Sequence, residues 1–437
     1  MDLTKTRTFV GFGFGAIQSG LFLHEAFQSG EFHRLVVAEI MPHVVSAVRR
    51  AGGHCCVNIA YHDRVEKDHI DSIEIEDPTT VPGRQCLIAA IAEAEEIATA
   101  VPSVESYSSE RPDSLHRILA AGLCKKAEID GPRTVVYTAE NHNQAAEILE
   151  KHVFAQVPQE MREAVHSRVQ FLNTVIGKMS QVVSDPEEIH ERGLETITPG
   201  LSRAFLVESF NKIFISRIQF VEPFRRGIAV FEEKDDLIPF EEAKLYGHNA
   251  THALAGYIGK LKGIQHVADL RDIPGMVPFL RTAFIQESGR GLIRKYGHID
   301  QLFTPDGYSQ YAGGLLERMM NPFLMDTIER VTRDTRRKLG WNDRLIGTMR
   351  LALAQGIRPH RYAFGAAAAM ASLDPSILDG GTPIKSTLNS IWPEPTIARD
   401  EKDGVIALIK DAARTLKVWR DLGYPNIETF FRNDLHS

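Results

Sequence analysis

The segment Lys244-Leu-Tyr-Gly-His-Asn249-Ala-Thr-His252 concentrates side chains that can move a proton and hold an oxygen. Its spacing is K-x4-N-x2-H. On an α-helix, at about 100° per residue, Asn249 falls about 140° and His252 about 80° from Lys244. His248 falls on the same side. A neutral lysine can take the proton of an alcohol as hydride leaves the adjoining carbon, provided that burial depresses its pKa. Amide and imidazole N–H groups then stabilise charge developing on the oxygen. Polar residues on a helix more commonly form a solvated face. Here Leu254, Ala255, Tyr257, Ile258 and Leu261 follow closely, and a helix that apolar is built to be buried.

A second group lies near the start. A β-rich run, Thr8 to Gly13, leads into Gly11-Phe-Gly-Phe-Gly-Ala-Ile-Gln18 and then an apolar helical stretch to about Gln28. Glycines in such a turn let the backbone approach a pyrophosphate, and the helix aims its N-terminal N–H groups at it. Two registers are open. One is Gly11, Gly13 and Ala16; the other is Gly13 and Gly15, with Gln18 in the third position. A second β-branched run, Arg34 to Ile40, carries Glu39. A carboxylate there accepts from ribose hydroxyls and repels a 2′-phosphate, which favours NAD over NADP.

These groups need a frame. His54 to Ala60, Ile97 to Val101 and Arg133 to Thr138 read as further strands, with a helix from about Cys86 to Glu95. Strands separated by helices predict a mostly parallel sheet with crossover connections. The breaker pairs Asp185-Pro186 and Pro199-Gly200 suggest a boundary, giving a Rossmann-type α/β domain over 1–195. A mostly α-helical domain over 196–437 follows. Its helical patterns include Phe240 to Lys262, Gly275 to Tyr296, Tyr308 to Met320 and Asp326 to Leu339.

Composition narrows the function classes. The chain has 437 residues, 43% hydrophobic and 24% charged, enough for two cored domains. Fifty basic against 57 acidic residues leave a net charge of −7, which argues against a nucleic-acid scaffold. No apolar run is long enough to span a bilayer, and no secretion signal is evident. The four cysteines, Cys55, Cys56, Cys86 and Cys124, lack the spacing of a zinc knuckle and fit free thiols in a reducing cytoplasm.

Taken together, these motifs resemble the polyol-specific long-chain dehydrogenases, and within them the mannitol-1-phosphate 5-dehydrogenase type. The Lys244, Asn249 and His252 segment carries the resemblance most specifically. Gly13-Phe-Gly-Ala-Ile17, Thr99-Ala-Val-Pro102, Ala139-Glu-Asn141, Phe171-Leu-Asn173-Thr, Glu287-Ser-Gly-Arg290 and Arg318-Met-Met-Asn321-Pro also fit. The resemblance implies that Lys244 is the acid–base catalyst, with Asn249 and His252 holding the reacting oxygen. It implies that Gly13, Gly15, Ala16, Ile17 and Gln18 cradle the NAD pyrophosphate, with Glu39 on the ribose. Thr99, Ala100, Val101 and Asn141 match segments that line the cofactor. Asn173 and Arg318 match positions near the sugar. The active site would lie in a cleft between the domains, with no metal and no nucleic-acid or membrane partner, in a monomer. Glu208 to Ile218 departs from the better-known bacterial enzymes, in a stretch that should shape the substrate pocket.

The implied reaction is NAD-dependent interconversion of mannitol 1-phosphate and fructose 6-phosphate. Arg330, Arg333, Arg336, Arg337 and Arg344 offer cations for the phosphate. A free polyol or a hexuronate would suit the same chemistry. A non-catalytic dinucleotide sensor is a further reading, against which the intact Lys, Asn and His set speaks.

Overall fold

The computed structural model describes residues 7–392 and 398–434. The chain divides into two compact units, the first running through Ile238 and the second beginning at Pro239.

In the first unit, strands β1 (Arg7–Phe12), β2 (Phe32–Ala38), β3 (Cys55–Ala60), β4 (Val65–Ile70), β5 (Ile73–Glu76) and β6 (Ala94–Thr99) are followed by β7 (Thr134–Thr138), β8 (Val169–Val175), β9 (Ser180–Val183), β10 (Ala204–Glu208), β11 (Phe214–Ser216) and β12 (Glu232–Lys234). The large sheet has the order β12-β11-β8-β7-β6-β1-β2-β5. From β8 to β5 every pairing is parallel. The strand order reverses at β1, whose neighbours are β2 and β6. A crevice therefore opens beyond the carboxyl end of β1, where doubly wound sheets bind ligands.

Alternation along the strands builds a core on each face. Phe9, Leu35 and Val37 face one way, with Phe22, Val44 and Val48 from the helices that follow β1 and β2. Val10, Val36 and Ile97 face the other, with Leu87, Leu119 and Leu149. The first core continues into a small sheet of order β4-β3-β10-β9, through Val57, Ile59, Phe205 and Val207.

That small sheet moves the division of the chain. The breaker pairs near 185–186 and 199–200 are loops within the first unit, and the division falls at 238/239 rather than near 195/196. The physical reason is strand pairing. β10 returns to lie parallel to β3, and β11 extends the large sheet antiparallel to β8.

The second unit is helical. Ile238–Glu242, Ala243–Asn249 and Ala250–Leu261 form one continuous helix whose middle is π-helical. Met276–Thr282, Ala283–Gly289 and Arg290–Tyr296 repeat that pattern. The arginine-rich stretch is not the single helix its pattern predicts. It forms two short helices, Ile328–Thr332 and Thr335–Lys338, broken at Asp334, which has a φ of 56°. Among the described residues no helix is long and apolar enough to cross a membrane, and all four cysteines are free.

Candidate active site and dinucleotide cavity

The first unit holds a cavity of about 990 Å³ at the end of β1. Gly13, Gly15, Ala16, Ile17, Glu39, Ala100 and Val101, all expected at a cofactor, line it. Gly13 has a φ of 90°, and a Cβ there would meet the Ala100 carbonyl oxygen at 2.6 Å. Only glycine is comfortable in that backbone and that gap. A Cβ on Gly15 would meet nothing within 4 Å. Both the loop and the open space beside it suit a pyrophosphate. Gly11 is a strand residue, so the Gly13 and Gly15 register describes the turn.

Glu39 is buried, and its Oε1 accepts the Met41 N–H at 2.8 Å, which aims the carboxylate at the cavity rim. Arg203 also lines the cavity, with Nη1 3.9 Å from the Met41 sulfur. Sequence reasoning missed this cation, which sits in a loop with no motif of its own.

Three expected cofactor residues stand elsewhere. Gln18 is fully buried, its amide turned back over Gly11 and without a hydrogen-bond partner. Thr99 is buried and donates to Glu140 at 2.9 Å. Asn141 is exposed. Glu140, another residue missed, also accepts the Val101 N–H at 2.9 Å and the Tyr107 hydroxyl. Burial raises its carboxyl above the usual range, while these donors work against the rise. Glu140 thus fixes the carboxyl end of β6, where Ala100 and Val101 meet the cavity. Asn173, expected near the sugar, spends its amide on a helix start: Oδ1 accepts from Ala146 N–H at 2.9 Å, and Nδ2 donates to Glu147 at 2.9 and 3.0 Å.

In the second unit, Lys244 and Asn249 lie in the π-helical segment and His252 one turn later. A π-turn closes from residue i to i+5, which brings Asn249 nearer to the Lys244 side of the helix than the about 140° of a regular α-helix. A Cβ on Gly247 would lie 2.6 Å from the Tyr308 hydroxyl, so the segment is pressed onto Tyr308. The Thr348 hydroxyl lies 3.1 Å from the Tyr246 carbonyl and also approaches the Arg344 carbonyl one turn back on its own helix.

The electrostatics agree with proton transfer. Burial lowers the Lys244 ammonium to about 8; Glu241 opposes the shift and Arg344 adds to it. Burial also holds the His248 imidazole well below its ordinary range, and His252, Arg318, Lys244 and Arg344 each push it further. Those five groups therefore share one neighbourhood. His248 and His252 have ring centroids 6.1 Å apart. Burial raises the Tyr311 hydroxyl to about 12, against the pull of Arg318.

His252 has a partner the sequence did not reveal. Its Nε2 lies 3.2 Å from Asp326 Oδ2. Burial alone would raise the Asp326 carboxyl, but His252 and Arg330 hold it well below the usual carboxylate range. Arg330 grips Asp326 through two bonds of 2.6 Å. Of the other arginines, Arg344 bonds Asp343 at 2.8 Å and Arg336 bonds the Ser390 hydroxyl at 2.9 Å.

Comparison with known proteins agrees with this architecture. The family model described as the mannitol dehydrogenase Rossmann domain matches residues 7–223, and that of the mannitol dehydrogenase C-terminal domain matches 236–385. A substrate-free D-sorbitol dehydrogenase structure superposes with a TM-score of 0.76 at 13% identity, covering 96% of this chain and 94% of that one. The Pseudomonas fluorescens mannitol 2-dehydrogenase, in ternary complex with NAD and D-mannitol, gives 0.67 at 15% identity, covering 99% and 95%. With both family domains matched in order over most of its length, the chain belongs to the mannitol dehydrogenase family.

Proposed function

We propose that the protein is an NAD-dependent polyol dehydrogenase in which Lys244 is the acid–base group. The observation that carries this reading is the Lys244 ammonium, lowered to about 8 among His248, His252, Arg318 and Arg344. A lysine so placed has a substantial neutral fraction near neutral pH and can accept the carbinol proton on Nζ. Asn249 and His252 donate to the oxygen as charge develops. The ionised Asp326, 3.2 Å from Nε2, stands behind the His252 ring and orients it. Gly13, Gly15, Ala16 and Ile17 would hold a pyrophosphate, and Glu39 a ribose. When bound, NAD supplies the hydride acceptor.

The finer reading is a terminal phosphate on the substrate, as in mannitol 1-phosphate. Its support is the set of cations gathered near Lys244. Arg344 acts on Lys244, His248 and Lys338, and Arg318 on His248. A second reading, a free polyol, is favoured by the bidentate Asp326–Arg330 pair, which removes one of the expected phosphate ligands. The two neighbouring structures are also named for free sorbitol and mannitol.

The test is NADH formation by the purified protein with mannitol 1-phosphate, mannitol, sorbitol and their relatives, and the reverse reaction with fructose 6-phosphate, fructose and hexuronates. Turnover confined to the phosphates supports the finer reading. Turnover of free polyols alone keeps the chemistry and replaces the substrate. Undiminished turnover in Lys244→Ala would remove Lys244 from its role.

A further inference from the structure

The small sheet carries a side-chain group that dehydrogenase chemistry does not use. His54 immediately precedes β3, and His69 lies on β4 opposite Cys56 in the antiparallel ladder. Glu195 comes from the loop before β10. One nitrogen of each ring and one Glu195 carboxylate oxygen lie within 4.8 Å of one another, and among the described residues this is the only such trio. His54 Nε2 and His69 Nδ1 are 3.2 Å apart, with the rings stacked at 5.0 Å. His69 Nδ1 is 3.8 Å from Glu195 Oε1. None of the three lines the dinucleotide cavity.

We propose that His54, His69 and Glu195 form a binding site for a transition-metal ion of the Zn²⁺ class. Two nitrogens each about 2.0–2.1 Å from a tetrahedral zinc stand about 3.3–3.4 Å apart, close to the separation of the two rings. Imidazole and carboxylate together suit zinc and its neighbours better than magnesium or calcium.

Two supports lie behind the ligands. Asp71 Oδ1 is 2.7 Å from His54 Nδ1 and accepts a hydrogen bond from Nδ1–H, which leaves the Nε2 lone pair facing His69. A carboxylate behind a ligating histidine is the usual way to fix its tautomer. Glu195 is held by its backbone: Asn58 Nδ2 donates to its carbonyl at 2.8 Å, and its N–H donates to Asn58 Oδ1 at 2.9 Å. Cys56 N–H to the Ile197 carbonyl, at 2.8 Å, fastens the same loop to β3.

The side chains of His54, His69 and Glu195 are 32%, 41% and 40% exposed. An ion can reach them from solvent and keep water in its remaining position. Lys67, two residues from His69, opposes a cation, while Asp71 and Glu195 favour one. The ion would tie β3, β4 and the 195–197 loop together, and Ile197 of that loop lines the dinucleotide cavity.

The test uses the full chain, stripped with a chelator, dialysed and titrated with Zn²⁺ by calorimetry, with thermal unfolding followed in parallel. One ion per chain and a raised melting temperature are expected. Affinity should fall tenfold or more both in the His54→Ala, His69→Ala double variant and in Glu195→Gln. These side chains are partly exposed, so the variants should fold, and their melting in chelator should match the parent's. Absence of saturable uptake, or uptake unchanged in both variants, would overturn the site. The close ring nitrogens would then be an ordinary N–H···N hydrogen bond.

Discussion

The His252 Nε2 lies 3.2 Å from the Asp326 Oδ2, and the same carboxylate receives two 2.6 Å bonds from Arg330. Asp326 is buried and held ionised. It is therefore a fixed negative charge behind the imidazole, while Arg330 keeps that charge from swinging away. The pair orients the ring.

Asp326→Asn should keep the fold and lower kcat by roughly tenfold to a hundredfold, as losses of orienting partners typically do. KM should change little. Arg330→Met should cost stability more than rate. Steady-state kinetics beside thermal melts separates the two effects, and equal kcat in Asp326→Asn and the parent would remove the orienting role.

Lys244 must be neutral to accept a proton. Alcohol oxidation should therefore rise with pH and level off, with a midpoint near the lysine value of about 8. Carbonyl reduction should show the opposite slope. The sign for stability follows from the same shift. The folded lysine releases its proton below the unfolded one, so folding is penalised below about 8 and relieved as pH rises towards the ordinary lysine range. Lys244→Met should thus raise stability at pH 7, by on the order of 1 kcal/mol, and lose that advantage near pH 10. Denaturant melts at the two pH values provide the check.

Two glycines of one loop should fail differently. Gly13→Ala puts a Cβ 2.6 Å from the Ala100 oxygen on a backbone with a φ of 90°. It should cost about 1–3 kcal/mol of stability, the range for a residue forced into a disfavoured backbone region. Gly15→Ala meets nothing within 4 Å and should fold normally. Its methyl group enters the space assigned to the cofactor, so it should weaken NAD binding at unchanged melting temperature. Calorimetric titration with NAD tests the contrast.

Glu39 and Arg203 line the same cavity with opposite charges. Removing the negative one should uncover the positive one. Glu39→Gln should raise kcat/KM for NADP by tenfold or more and lower that for NAD. A second change, Arg203→Ala, should reverse the gain with NADP. No gain in the single variant would place Arg203 away from the ribose.

The parts legible from the chain are those whose members are neighbours in it. β1, its glycine turn, the helix after it and the acid at Glu39 follow in order, and each carries its own local signal. The Lys244 to His252 segment is equally compact. The small sheet was not legible. β4 is mostly charged, and β3 pairs with β10 across most of the first unit, so neither propensity nor alternation announces the partnership. That pairing also explains why breaker residues near 185 and 199 do not mark the division of the chain. Asp326 and Glu140 were missed for a related reason: each acts on a residue distant in sequence, and nothing local distinguishes a buried carboxylate from a solvated one. The helical wheel failed in detail at Lys244, because an i→i+5 turn leaves no mark in hydrophobic periodicity.

That turn sets a limit on how the chain can change length. A π-turn holds one residue more than the α-helix around it, so it behaves as an insertion kept in place. Deleting Leu245 alone would remove that extra residue and close the segment as regular α-helix with the phase of the flanking turns kept; removing Tyr246 as well would turn everything on one side by about 100° against the other. After the first deletion Lys244 and His252 would stand about 20° from each other around the axis; after the second they would stand about 120° apart, although both residues, and nearly all of the apolar surface, would remain. The Leu245 deletion should therefore retain much of the activity, while the double deletion should abolish it in a protein that still unfolds cooperatively. The phase of one helix is a functional quantity here, and it is counted in whole residues.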